Sequence, residues 1–294
     1  MIRLYFLLET HLCRKHCKGC YLSPQRKYID RKADEVIKAL AIISKKNLFD
    51  IRVTGSNLPA YDKIEEVLKF CNQDYLLGDL NSISTISPKK LKKLFSLGIK
   101  RIFLTSPSSC HVKYTKNKIN DAIVSIKQAK MEVALTYVLD KKNITKWREM
   151  IKESIELKVN SIRFMRFMPL PNESKENFIS DEELKPFIKK IYKARKRIPI
   201  ETLRIYLHGQ MGTWFRREKG ECCFAGENLF IVGTDNIIYP CEFLMYPEFA
   251  LGRFTKNSKI IITKKLTGLS RYHCKYKQIF IDHKPFKIKV NHYF

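Results

Sequence analysis

A chain of 294 residues with 45% hydrophobic and 12% aromatic content can bury a sizeable core and is not disordered. Its nine cysteines sit in a long, lysine-rich, helically periodic chain, which excludes a small disulfide scaffold and fits a reducing cytoplasm. The net charge of +27 can attract polyanions, but its lysines recur in every helix, and dispersed charge reads as solvated surface rather than a nucleic-acid patch.

Ile2 to Leu8 is apolar and reads as a first β-strand. Directly after it, in His11-Leu12-Cys13-Arg14-Lys15-His16-Cys17-Lys18-Gly19-Cys20, stand three cysteines at the spacing C-x3-C-x2-C. A loop this tight can fold three thiolates around one small inorganic centre. A cubane [4Fe–4S] cluster normally takes about one thiolate per iron, so a trio leaves one iron open to something other than protein. The competing readings are a zinc site, a disulfide with an odd thiol, and three unrelated cysteines. Zinc wants a second half such as C-x2-C or H-x3-H, and none follows within the next fifty residues, leaving His11 and His16 as nearby donors.

Further along, Ala33, Val36, Ile37, Leu40 and Ala41 form one apolar helix face. Asp50 to Thr54 is a strand ending at Gly55. Ile64, Val67, Leu68 and Cys71 mark a helix that makes Cys71 a core residue, and Tyr75 to Leu80 is a strand. Ser87-Pro88 caps a helix carrying Leu91, Leu94 and Phe95 and stopping at Gly98. Then come a strand from Arg101 to Thr105, a helix from Asp121 to Lys130, a strand from Glu132 to Leu139 and a helix from Trp147 to Leu157. A sixth strand, Ser161 to Phe167, precedes a helix with a Ser180/Glu183 capping box that carries Pro186 and runs to about Lys196. Alternation of this kind predicts an α/β fold with a parallel sheet and chemistry at the C-terminal strand ends, where the cysteine loop sits. No apolar stretch approaches the roughly 18 residues of a membrane helix.

The cysteine spacing resembles the signature of the radical S-adenosylmethionine (radical SAM) superfamily. The resemblance implies a partial (β/α)6 TIM-like barrel over residues 1–200, a [4Fe–4S] cluster on Cys13, Cys17 and Cys20, and SAM chelated at the open iron. Gly55-Ser56-Asn57 resembles the family's Gly-Gly-Glu-Pro segment that holds the SAM amino group, with Ser56 and Asn57 in place of the second Gly and the Glu. Asn81, Thr105 and Arg166 match further strand ends around SAM more loosely, as does Asn143 after the fifth strand. Gly19 stands where members usually carry an aromatic residue, for which Tyr21 is a candidate substitute. Cys110, His111 and Tyr114 follow the fourth strand and read as surface or packing residues.

From about Thr202 the alternation stops. Cys222-Cys223, a hairpin of Leu229 to Val232 and Ile237 to Tyr239 around Thr234-Asp235-Asn236, then Pro240-Cys241 and Leu251-Gly252, resemble a reduced SPASM or "twitch" extension over 201–294. Such extensions bind auxiliary iron–sulfur clusters. Here Cys222 or Cys223 with Cys241 and Cys274 would supply three ligands, and His273 could fill the fourth position; the alternative is a hairpin whose cysteines are small buried residues. The resemblance implies a cytoplasmic enzyme acting on a ribosomally made peptide or protein, with an acidic leader suiting its charge, and an electron donor such as flavodoxin or ferredoxin. A nucleotide or RNA substrate is the alternative, and a non-catalytic metal-bound scaffold is the reading from another class.

Overall fold

The computed structural model describes residues 1–13, 17–45, 48–109, 116–208, 223–269 and 274–290. In chain order the elements are β1 (Ile2–Leu7), α1 (Ala33–Ser44), β2 (Phe49–Thr54), α2 (Ile64–Leu68), β3 (Tyr75–Gly78), α3 (Leu80–Ile83) and α4 (Pro88–Ser96). They continue with β4 (Arg101–Thr105), α5 (Lys116–Gln128), β5 (Glu132–Leu139), α6 (Trp147–Glu156), β6 (Ser161–Arg166), α7 (Asp181–Arg197) and β7 (Arg204–Leu207). The last are β8 (Leu229–Val232), β9 (Ile237–Tyr239), β10 (Gly252–Phe254), β11 (Ile260–Ile262), β12 (Lys264–Thr267), α8 (Lys275–Phe280) and β13 (Lys287–Val290). Contacts group the chain into two units, one of 1–14, 21–77 and 222–294, the other of 15–20 and 78–221.

In the first unit a six-stranded sheet runs β11-β10-β9-β8-β1-β2. β1 is inside it, parallel to β2 on one side and to β8 on the other. Leu4, Phe6 and Leu7 are buried there, as expected of a strand covered on both faces. α1 buries Ala33, Val36, Ala39, Leu40 and Ile43, while the expected Ile37 and Ala41 are half-exposed, so its buried stripe is rotated toward Ala39 and Ile43. The β8–β9 hairpin turns at Asn236, whose φ of +65° is the left-handed conformation that asparagine tolerates best among non-glycines. Gly252 is required where β10 pairs with β11, because a Cβ there would overlap the Ile261 carbonyl oxygen. β12 and β13 form a separate two-stranded antiparallel sheet.

The second sheet has the order β3-β4-β5-β6-β7, with β4 through β7 parallel. β7 is a seventh strand that the pattern after Thr202 does not announce, four residues long and paired to β6. The strand read as reaching Leu80 stops at Gly78 instead, because the Asp79 side chain accepts from the Asn81 amide and starts α3. The Ser87 cap and the complete Ser180/Glu183 capping box form as read. α7 buries Leu184, Phe187, Ile188 and Ile191, each worth roughly 1.5–3 kcal/mol of transfer free energy. Among the described residues no helix is long and apolar enough to cross a membrane.

Candidate functional site

The C-terminal ends of β1 and β2 are joined by one buried carboxylate. Glu9 lies two residues past β1 and is fully buried. Its Oε1 accepts from the Asn57 amide at 2.6 Å, and its Oε2 accepts from the Ser56 hydroxyl at 2.5 Å and the Leu12 amide at 3.3 Å. The Ser56 Oγ in turn accepts from the Cys13 amide at 2.8 Å. Burial raises the carboxyl's pKa, although the Asn57, Ser56 and Leu12 bonds pull the other way. A Cβ at Gly55 would crowd Glu9 Oε1 and push that carboxylate out of place. Ser56 is therefore the strut between the second strand end and the first cysteine. Sequence reasoning missed Glu9; the available signal was an acid ending an apolar strand one turn before a cysteine loop.

Asp30 and Arg31 fasten the returning chain. Asp30 Oδ1 accepts from the Thr10 amide at 2.7 Å and from His11 Nδ1 at 2.9 Å, while His11 Nε2 meets the Arg26 carbonyl at 2.8 Å. Both His11 nitrogens face acceptors, and the Asp30 bond raises the pKa of the ring. With both nitrogens engaged, His11 would have to release one of these partners to bind a metal; His16 lies outside the described residues. Arg31 Nε donates to the Leu7 carbonyl at 3.1 Å, Nη1 to Asn236 Oδ1 at 2.7 Å, and Nη2 to the Gly233 carbonyl. Burial lowers its pKa to about 10. Gln25 reaches the same β8–β9 turn, donating to Asp235 at 3.3 Å and accepting from Thr234 at 3.3 Å.

In the second unit the Cys20 amide donates to the Cys17 carbonyl at 3.3 Å. Gly19 has φ +66°, and a Cβ there would come within 2.5 Å of the Phe167 ring and 2.7 Å of the Met168 carbonyl oxygen. Its amide donates to both oxygens of Glu173, at 3.0 and 2.9 Å. The missing aromatic at this position is thus a requirement of backbone and space. Tyr21, offered as its substitute, packs its ring on Phe243 at 5.8 Å.

The other strand-end residues are placed as follows. Asn81 lies in the first turn of α3, its Oδ1 accepting from Lys118 at 3.3 Å. Thr105 ends β4 half-buried. Arg166 ends β6 buried, with Nη1 on Asp181 Oδ1 at 2.6 Å, Nη2 on the Ile179 carbonyl, and its guanidinium 4.1 Å from the Phe178 ring centroid. Asn143 closes its own loop, donating to the Val138 carbonyl at 2.9 Å and accepting from the Asp140 amide at 2.9 Å. Cys110, His111, Tyr114, Cys222 and His273 lie outside the described residues.

Cys13, Cys17 and Cys20 are half-exposed thiols. Cys223, Cys241 and Cys274 are also half-buried residues, but burial drives the Cys241 thiol well above its ordinary pKa and Cys274 to about 12, with neighbouring Cys223 and Glu242 adding to both. Lys275 Nζ donates to the Ala225 carbonyl at 2.6 Å and Glu227 at 2.9 Å, tying the segment after Cys223 to the start of α8. Phe243, Tyr276 and Phe280 stack beside them with centroids 5.7 and 4.8 Å apart. Among the described residues no group of three His, Cys, Asp or Glu is arranged as a metal site. The donor chemistry of the first trio, three thiols following one strand with its first amide fastened, fits an iron–sulfur group.

No protein-family model matches the chain, and no curated protein matches it in sequence. Solved structures match it throughout most of its length, and they are radical SAM enzymes. The chain has their fold, a partial (β/α)6 TIM-like barrel, with a small C-terminal extension containing a β-hairpin. Native anSMEcpe with bound AdoMet is similar at TM-score 0.67 and 16% identity, over 86% of this chain and 78% of that one. The same protein with AdoMet and the Cp18Cys peptide gives TM-score 0.63 and 17% identity, over 85% and 77%. Streptococcus suis SuiB bound to its precursor peptide SuiA gives TM-score 0.61 and 14% identity over 82% of this chain, which spans 59% of SuiB.

Proposed function

We propose that this protein is a radical SAM enzyme that modifies a ribosomally made peptide or protein. The observation that carries the reading is a loop of three half-exposed thiols, Cys13, Cys17 and Cys20, following the first strand of a radical SAM fold. These three residues would hold a [4Fe–4S] cluster, which when bound supplies the electron that cleaves SAM to a 5′-deoxyadenosyl radical. Gly55, Ser56 and Asn57 would seat the SAM amino acid end, with Asn81, Thr105 and Arg166 as further contacts. Asp181 and the Ile179 carbonyl hold the Arg166 guanidinium in one orientation, so its contribution would be positional. Residues 1–200 would form the catalytic barrel, and 201–294 a twitch-like extension in which Cys222, Cys223, Cys241 and Cys274 are candidate ligands of a second cluster.

A peptide substrate is supported by the two neighbours that carry bound peptides, Cp18Cys on anSMEcpe and SuiA on SuiB. An acidic leader would complement a charge of +27. The chemistry would also require an electron donor such as flavodoxin or ferredoxin, and a cluster on reduced thiols would suit the cytoplasm. The test is anaerobic reconstitution with iron and sulfide followed by assay for 5′-deoxyadenosine. The wild type forms it on reduction, and Cys17→Ser forms none. Stoichiometric zinc with no cubane spectrum in anaerobic material would overturn the reading in favour of a metal-bound scaffold.

A further inference from the structure

The segment Gly55-Ser56-Asn57 departs from the Gly-Gly-Glu pattern, and the structure gives the departure a purpose. We propose that Ser56 is a positioning residue that fixes the amide of Cys13, joining the cofactor segment after β2 to the metal loop after β1, with Glu9 as the buried anchor of both. The inference rests on the proposed function and deepens it. A glycine at position 56 would leave the Cys13 amide and one oxygen of Glu9 without this hydroxyl. The Ser56 Oγ donates its one proton to Glu9 Oε2 and uses a lone pair for the Cys13 amide, so its orientation is determined at both ends. Glu9 spends its other oxygen on the Asn57 amide, so one carboxylate sets the backbone of 56–57 and, through the hydroxyl, that of residue 13. Hydrogen bonds to a charged group are the stronger kind, and here they converge on a fully buried carboxylate.

The experiment compares wild type, Ser56→Ala, Ser56→Thr and Glu9→Gln. In the metal-free protein, amide hydrogen exchange at Cys13 should accelerate about tenfold in Ser56→Ala and Glu9→Gln, and stay near wild type in Ser56→Thr, which keeps a hydroxyl. In reconstituted protein, iron loss to a chelator should accelerate by about the same factor in the same variants. Unchanged Cys13 exchange in Ser56→Ala overturns the proposal. So does a uniform rise in exchange across β1 and β2, which would mark a merely structural role. Because the exchange readout needs no cluster, a wild type that fails to cleave SAM would sink the functional reading without deciding this one.

Discussion

The cysteines of this chain live in two unlike surroundings. Those after β1 sit in a polar frame: Cys13 hangs from Ser56 and Glu9, and the neighbouring His11 is pinned by Asp30 and Arg26. Those of the extension sit beside Phe243, Tyr276 and Phe280, and burial makes the Cys241 and Cys274 thiols resist ionisation. As the metal loop proposed above, the segment after β1 would combine a held backbone with half-exposed sulfurs. The extension cysteines are half-buried as well, but burial of the Cys241 and Cys274 thiols favours the proton, which a metal there would have to displace.

Alkylation breaks or sharpens this contrast most strongly. A thiol whose pKa is about 12 has, at pH 8, roughly a thousandth of the thiolate of an ordinary cysteine near 8.5. Brief iodoacetamide treatment of the metal-free protein, read by mass spectrometry, should therefore leave Cys274 among the last residues modified. Cys71, hydrogen-bonded to the Val67 carbonyl and also pushed by burial to about 12, should lag with it. Because a raised pKa means the neutral thiol persists to high pH, the rate at Cys274 should climb about tenfold per pH unit between 8 and 11. Modification of Cys274 as early as Cys13 and Cys17 would erase the distinction.

The second effect in size concerns Arg31, which holds both regions. Its three donors reach the Leu7 carbonyl before the cysteine loop and Asn236 and Gly233 in the β8–β9 turn. Arg31→Ala takes this donor from the buried Leu7 and Gly233 carbonyls, and the expected loss is about 3 kcal/mol, read as a lower denaturation midpoint at constant m. Iron retention should fall as well, since the return arm of the loop loses its tether. A midpoint within experimental error of wild type would mean that the extension does not brace the loop.

How much of this could be read from residues alone follows from where the information lies. Strand and helix identity is local, so β4 and β5 fall on the expected residues and the Ser180/Glu183 box forms complete. The cysteine loop stands out in the sequence because three thiols at short spacing are rare. Glu9, Arg31 and Glu173 do not, because each acts on backbone groups 20 or more residues away in at least one of its contacts, and nothing in the local pattern tells a buried anchor from a solvated charge. β7 was missed for a different reason: four residues paired parallel to β6 carry too little periodicity to stand out after a helix.

The smallest effect belongs to the end of the second sheet farthest along the strands from their C-terminal ends. Glu132, the first residue of β5, takes Arg101 at 2.6 Å and Arg204 at 2.5 Å, the first residues of β4 and β7. Partial burial opposes its ionisation, but the bonds from Arg204 and Arg101 outweigh that and hold the carboxyl below its ordinary pKa. A depressed carboxylate pKa contributes stability above the unfolded value, near 4.3, and loses it as pH falls through the folded value. These are part-exposed pairs, so Glu132→Gln should cost only about 1 kcal/mol at pH 7, and the gap to wild type should narrow on acidification. Conservation at strand starts in such barrels reads as stability, and chemistry belongs at the other end. Iron content and SAM cleavage should therefore be unchanged in Glu132→Gln, and a loss of either without a matching fall in stability would show that strand starts and strand ends are not separable here.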